Sequence, residues 1–80
     1  VRRADEGVNA SELRRSLQEG LRLLPEKERA ALVLRDVEGL SAAEAAVALG
    51  VREATVRSQA CRARSRLRNF LLQRTGGSRL

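Results

Sequence analysis

Residues 41–68 read SAAEAAVALGVREATVRSQACRARSRLR, and the reading of this stretch decides the fold. It divides into a short helix, a tight turn and a long basic second helix. Ser41 caps the first of these helices, and Glu44, three residues on, reaches back to complete a capping box. Leu49-Gly50-Val51 ends it, because glycine tolerates the positive φ that a helix terminus often needs. The second helix opens at Arg52 or Glu53, where the Glu53 carboxylate suits the positive end of the helix dipole. Ala42, Ala43, Ala45, Ala46 and Ala48 allow two helices to approach closely, and Val51 and Val56 flank the turn and pin the helices together. This is the pattern of a helix-turn-helix, a motif whose second helix enters the DNA major groove.

Composition narrows the remaining possibilities. Eighty residues make one small domain with a modest core. The 42% hydrophobic content comes mostly from Ala, Leu and Val, which suits small helices better than a sheet. There is one Phe and no Trp, Tyr, Met or His, so aromatic platforms for single-stranded nucleic acid are missing. With no His and one Cys, a zinc site has no ligand set and a cysteine nucleophile has no histidine base. A single cysteine excludes an internal disulfide, consistent with a reducing cytoplasm. No apolar run approaches the roughly 20 residues needed to span a bilayer, and no signal peptide is visible. The chain starts at Val1 rather than Met, which suggests a fragment of something longer.

The distribution of charge is more informative than the net +6. From Ala54 to Leu80 there are seven arginines and no acid, whereas residues 1–53 carry nine Lys or Arg against ten Asp or Glu. This asymmetry points to a polyanion partner for the last third. The plainer alternative is a solvated helix face, at the cost of self-repulsion along the arginine run.

In chain order, residues 1–10 are polar and aperiodic and read as a linker from a preceding domain, with Asn9 or Ser11 capping the helix after it. Ser11 to Leu23 forms a first helix whose Leu13, Leu17, Leu21 and Leu24 make one apolar stripe. Gly20 weakens this helix slightly or permits a close contact. Pro25 and Glu26 start a second helix that runs to about Asp36. Its apolar face, Ala30, Ala31, Leu34 and Val37 widened by Leu32 and Val33, is broad enough to need either the first helix or a partner over it. Gly39 is the left-handed residue of the loop into Ser41. In the last helix Val56, Ala60, Ala63, Leu67, Phe70 and Leu71 face inward. Arg57, Ser58, Cys61, Arg62, Arg64, Ser65 and Arg68 face outward, and the helix frays after Gln73 into a flexible tail, 74–80. The expectation is an all-α domain over 11–73, four small helices containing a helix-turn-helix with a long basic recognition helix. Leu17, Leu21, Leu34, Leu49, Val56 and Leu67 are expected in its core.

The ordered run LPEKERAALVLRDVEGLSAAEAAVALGVREATVRSQACRARSRLR, from Leu24 to Arg68, resembles region 4 of the bacterial sigma factors, and in particular the small extracytoplasmic-function group. The features are the LPEKER opening, the LVLRDVEGLS joint, the AVALGV turn, TVRS at the start of the recognition helix and RARSRLR after it. The resemblance implies a cytoplasmic, non-enzymatic domain without cofactor or metal. Such a domain binds the −35 promoter element as duplex DNA while docked on the flap of the RNA polymerase β subunit, and is commonly held by an anti-sigma factor. Carried over by position, the base-reading residues are Arg57, Ser58, Cys61 and Arg62, with Gln59 between them. The two arginines match guanine O6/N7 or phosphate. Glu53, Ala54 and Thr55 lie at the helix start, where backbone N–H groups hold phosphate. Arg35 and Ser41 add backbone contacts, and Arg64, Arg66 and Arg68 either track phosphate or stay solvated.

Three positions depart from the usual family pattern. Ala54 stands where the family usually has Gly, and Ala60 and Cys61 stand where a larger aliphatic and then His or an aromatic are common. Ala60 calls for a compensating neighbour or closer helix packing. Cys61 brings only a weak hydrogen-bonding group to the DNA face, as a small filler or a redox-sensitive thiol beside the arginines. Two other readings stay open. A LuxR-type response-regulator domain shares the helix-turn-helix but lacks the Pro-Glu-Lys-Glu-Arg opening. The other is a region 4 module whose main work is binding an anti-sigma factor. No base, nucleophile or glycine-rich phosphate loop accompanies Glu26, Glu28, Glu44 and Glu53 to make an enzyme.

Overall fold

The computed structural model describes residues 10–75, which form four helices with no strand among them. Helix α1 spans Ala10–Leu23, α2 spans Glu26–Leu32 and widens into a π-helical turn over Val33–Val37, α3 spans Ala42–Leu49 and α4 spans Glu53–Thr75. Residues 1–9, including the capping candidate Asn9, and residues 76–80 lie outside the described part.

The local signals in the sequence produce the ends of these helices. Pro25 sits just before α2 at φ −55°, ψ 144°, and its carbonyl accepts from the Arg29 N–H at 2.9 Å. The Ser41 Oγ accepts from the Glu44 N–H at 3.0 Å while the Ser41 N–H donates to Glu44 Oε1 at 2.8 Å, a complete capping box. Among the described residues, Gly39 at φ +77° and Gly50 at φ +70° are those in left-handed conformation. After Gly50 the chain closes a Schellman motif, with Val51 N–H on Ala46 O (3.1 Å) and Gly50 N–H on Val47 O (3.3 Å). The C-terminal carbonyls of α1 are satisfied from outside the helix. Arg29 Nη1 lies within hydrogen-bonding distance of the carbonyls of Leu21, Arg22 and Leu24.

Nothing in the residue pattern announces the π turn. Glu38 N–H bonds back five residues to Val33 O, and Leu40 N–H bonds six residues back to Leu34 O, both at 2.9 Å. The widened turn carries Asp36 to α4 and lets Arg35 Nη1 donate to Leu40 O at 3.2 Å.

The core forms where α2, α3 and α4 meet. Ala31, Ala45, Ala46, Val56 and Ala60 are buried together, flanked by Leu34, Leu40 and Leu49. Leu24, Leu32 and Ala63 form a second cluster with Leu21 and Leu67 against it. In the first cluster small side chains and Val56 occupy the centre, whereas Leu24 and Leu32 are buried in the second, and the expected Leu21, Leu34, Leu49 and Leu67 line the edges. Ala60 is buried in this first cluster beside Ala31 and Ala45, where the flanking Leu34, Leu40 and Leu49 supply the larger side chains. Val56, the largest side chain with no exposure, contributes roughly 1.5–3 kcal/mol by burial.

Helix α4 is tied down along its length by ion pairs: Arg64 to Asp36 (2.7 Å), Arg66 to Glu28 (2.8 Å) and Arg74 to Glu19 (2.7 Å). Arg74 also lies over the Phe70 ring, 5.4 Å from its centroid. These contacts hold the last turn, so the helix runs on to Thr75 rather than fraying after Gln73.

Candidate nucleic-acid interface

The turn between α3 and α4 and the first turns of α4 present the surface that the sequence singled out. One helical residue advances 100°, so the buried Val56, Ala60 and Ala63 fix which side chains face away from the core. Arg57, Ser58, Cys61 and Arg62 are exposed together on that outward side, with Ala54 leading them. Thr55 and Gln59 are half-buried at its margin. Gln59 does not stand between the two arginines. It lines a cleft of about 350 Å³ with Glu26, Lys27, Ala30, Leu49 and Val51.

The charged groups of this surface differ in how free they are. Arg57 Nη2 meets Glu53 Oε1 at 3.2 Å, one turn earlier on the same helix, with both side chains well exposed. Such a pair is worth little and yields easily to a phosphate or base. Arg62 and Arg68 meet no carboxylate among the described residues. Ser58 Oγ donates to the Thr55 carbonyl at 3.3 Å, which leaves its acceptor capacity unused by that bond. Cys61 is exposed and its thiol is free.

Three arginines expected to touch the DNA backbone or stay solvated, Arg35, Arg64 and Arg66, have partners from other parts of the domain. Arg35 is half-buried, with Nη1 on Leu40 O and Nε enclosed without a partner. Arg64 grips Asp36 with its full fork, Nε to Oδ2 at 2.7 Å and Nη2 to Oδ1 at 2.9 Å. The Arg64 hydrogen bond is the main cause holding the Asp36 carboxyl below its ordinary value of 3.8, and the Asp36 hydrogen bond likewise raises Arg64.

Sequence reasoning missed the inner surface of α4. Glu28, read as a dipole-stabilising acid, is buried with only 10% of its side chain exposed. Its Oε1 is 2.8 Å from Arg66 Nε, close enough for an ion pair but without the alignment of a directed hydrogen bond. The signal available was weak: Glu28 follows Pro25 by three positions, one turn into α2 on the side of Leu24 and Ala31.

A second surface lies further along α4, toward its C-terminal half. Leu17, Leu21, Leu32, Val37, Leu67 and Leu71 line an apolar groove of about 560 Å³, rimmed by Asp36, Arg64 and Arg68. Helix α1 does not cover the wide face of α2 completely, since Val37 is 68% exposed.

Residues 14–67 of the sequence match a known family profile, described as Sigma-70, region 4. The chain belongs to the sigma-70 region 4 family. Individual relatives agree. It is 49% identical over 61 residues to the ECF RNA polymerase sigma factor SigE of Mycolicibacterium smegmatis, covering 76% of this chain and 24% of that protein. It is 46% identical over 56 residues to the ECF RNA polymerase sigma factor SigM of Mycobacterium tuberculosis, covering 70% of this chain and 29% of that one. This region 4 chain thus spans about a quarter of the length of the curated relatives it matches. No solved structure matches it significantly. The family match favours region 4 over the LuxR-type alternative. None of the described helices is long and apolar enough to cross a membrane.

Proposed function

We propose that this domain reads the −35 element of promoter DNA as a duplex, through the first two turns of α4. The observation that carries the reading is the one-sided chemistry of that helix: Arg57, Ser58, Cys61 and Arg62 share the exposed side, and Arg62 has no carboxylate partner among the described residues. Region 4 membership supports it. In this reading the forks of Arg57 and Arg62 address guanine O6/N7 in the major groove, and Ser58 and Cys61 meet the base edges between them. Thr55 and the N–H groups at the start of α4 hold a phosphate, with Gln59 at the margin. Arg35 and Arg64 reach the backbone only by leaving Leu40 and Asp36.

The apolar groove beside α4 is the docking surface for protein partners in the same reading: the flap of the RNA polymerase β subunit, and an anti-sigma factor that competes for it. The exposed Val37 and the leucines around it support this assignment, because uncovered apolar side chains gain by burial against a partner. The domain then works in the cytoplasm as a binding module rather than an enzyme, and its affinity for promoters rises when polymerase tethers it.

The test is fluorescence anisotropy on duplex DNA at two salt concentrations. Arg62→Ala is expected to weaken binding by about 1–3 kcal/mol. Arg74→Ala, at the far end of α4, is expected to leave binding unchanged. Equal effects of the two substitutions would contradict the reading.

A further inference from the structure

Helix α4 carries its arginines in two situations. Arg57, Arg64 and Arg68, at intervals of seven and four residues, fall along one edge of the helix, with Cys61 between the first two. Arg57 has a loose partner from its own helix and Arg68 has none among the described residues. Arg64 alone on this edge is held by a bidentate carboxylate from another element, twenty-eight residues away in sequence. Its side chain is 44% exposed, so the pair stands at the surface beside the DNA-reading residues and is not buried structure.

We infer that Asp36 is a positioning residue that withholds Arg64 from the DNA backbone and so limits binding that is independent of sequence. The inference rests on the promoter-reading role proposed above. Non-specific affinity grows with the number of phosphates that cations neutralise, and each neutralised phosphate steepens the salt dependence. An arginine whose fork is filled by a carboxylate adds no net charge to the surface. If it turned to a phosphate, it would leave the Asp36 carboxylate beside that phosphate, and the repulsion would cancel much of the gain. The π turn that ends α2 brings Asp36 to this position, so a departure from regular helix has a consequence at the recognition surface. Base reading, which depends on Arg57 and Arg62, is untouched by the pair.

The experiment measures binding of the full 80-residue chain to a random-sequence duplex across a salt series, for wild type, Asp36→Asn, Asp36→Glu, Arg64→Gln and the double variant Asp36→Asn/Arg64→Gln. Circular dichroism confirms that each is helical. Asp36→Asn is expected to bind more tightly at low salt, with a log–log slope steeper by about 0.9. Asp36→Glu restores the wild-type slope, Arg64→Gln alone leaves it unchanged, and the double variant returns to it. A flatter slope for Arg64→Gln in the wild-type background would overturn the inference, because Arg64 would already be on phosphate. So would an Asp36→Asn protein that binds no more tightly than wild type. Failure of the promoter reading shows differently, as a wild type that selects no motif from the same pool.

Discussion

Gly20 of α1 lies against Leu67 of α4 so closely that a Cβ at position 20 would stand 2.5 Å from the Leu67 Cδ1 methyl and 2.9 Å from Phe70 Cδ2. The absence of a side chain here is what lets α1 pack across the C-terminal half of α4. Gly20→Ala gains about 1 kcal/mol of helix propensity but forces both neighbours aside, at about 1–3 kcal/mol. The expected result is a net loss of about 1 kcal/mol in urea unfolding followed by circular dichroism. A more stable variant would show that the two helices have room to separate at no cost.

The Ser41–Glu44 capping box is reciprocal, with both bonds at or below 3.0 Å. Ser41→Ala is expected to cost about 1 kcal/mol of stability. Because each residue satisfies the other, Ser41→Ala and Glu44→Ala combined should cost less than the sum of the single changes. Strict additivity in a double-mutant cycle would contradict the box.

The Asp36–Arg64 pair carries a pH signature. A carboxyl held below its ordinary value stabilises the fold above that value, and the stabilisation is lost as pH falls through and below 3.8. Because the pair is exposed, its contribution at neutral pH is at most about 1 kcal/mol. Asp36→Asn should remove that part of the acid dependence, so the stability difference between variant and wild type narrows as the pH is lowered. A difference that stays constant from neutral to acid pH would mean the ion pair contributes nothing.

The groove beside α4 predicts a separation of functions. Val37 is exposed, so Val37→Asp leaves the fold intact, yet it places a charge in an apolar surface next to Asp36. Binding to a purified polymerase β-flap fragment, followed by calorimetry, should drop at least tenfold while DNA binding changes little. Loss of both together would place the DNA and protein partners on one surface.

Much of this architecture was legible because its punctuation is chemical. Pro25, Gly39, Ser41, Glu44 and Gly50 each do locally what their residue type favours, and the helices end where those residues stand. The outward face of α4 followed from spacing alone. The choice of core residues was less legible: sequence reasoning weighted the large leucines, whereas Ala31, Ala45 and Ala60 are buried in the first cluster with leucines flanking them. The partners of the arginines were not legible at all. Asp36, Glu28 and Glu19 meet Arg64, Arg66 and Arg74 across long stretches of sequence, and nothing in the local pattern distinguishes these arginines from Arg62, which meets no carboxylate among the described residues. That distinction separates arginines with no carboxylate partner among the described residues from those paired across the fold.

The central claim is that the first turns of α4 choose a DNA sequence. It is tested most directly by selection from a pool of random duplexes with wild type and with Arg57→Ala/Arg62→Ala, followed by sequencing of the bound fraction. The account predicts that wild type enriches one short motif and that the double variant loses the enrichment while remaining fully helical. Enrichment of the same motif by both proteins, or of none by wild type, would contradict it.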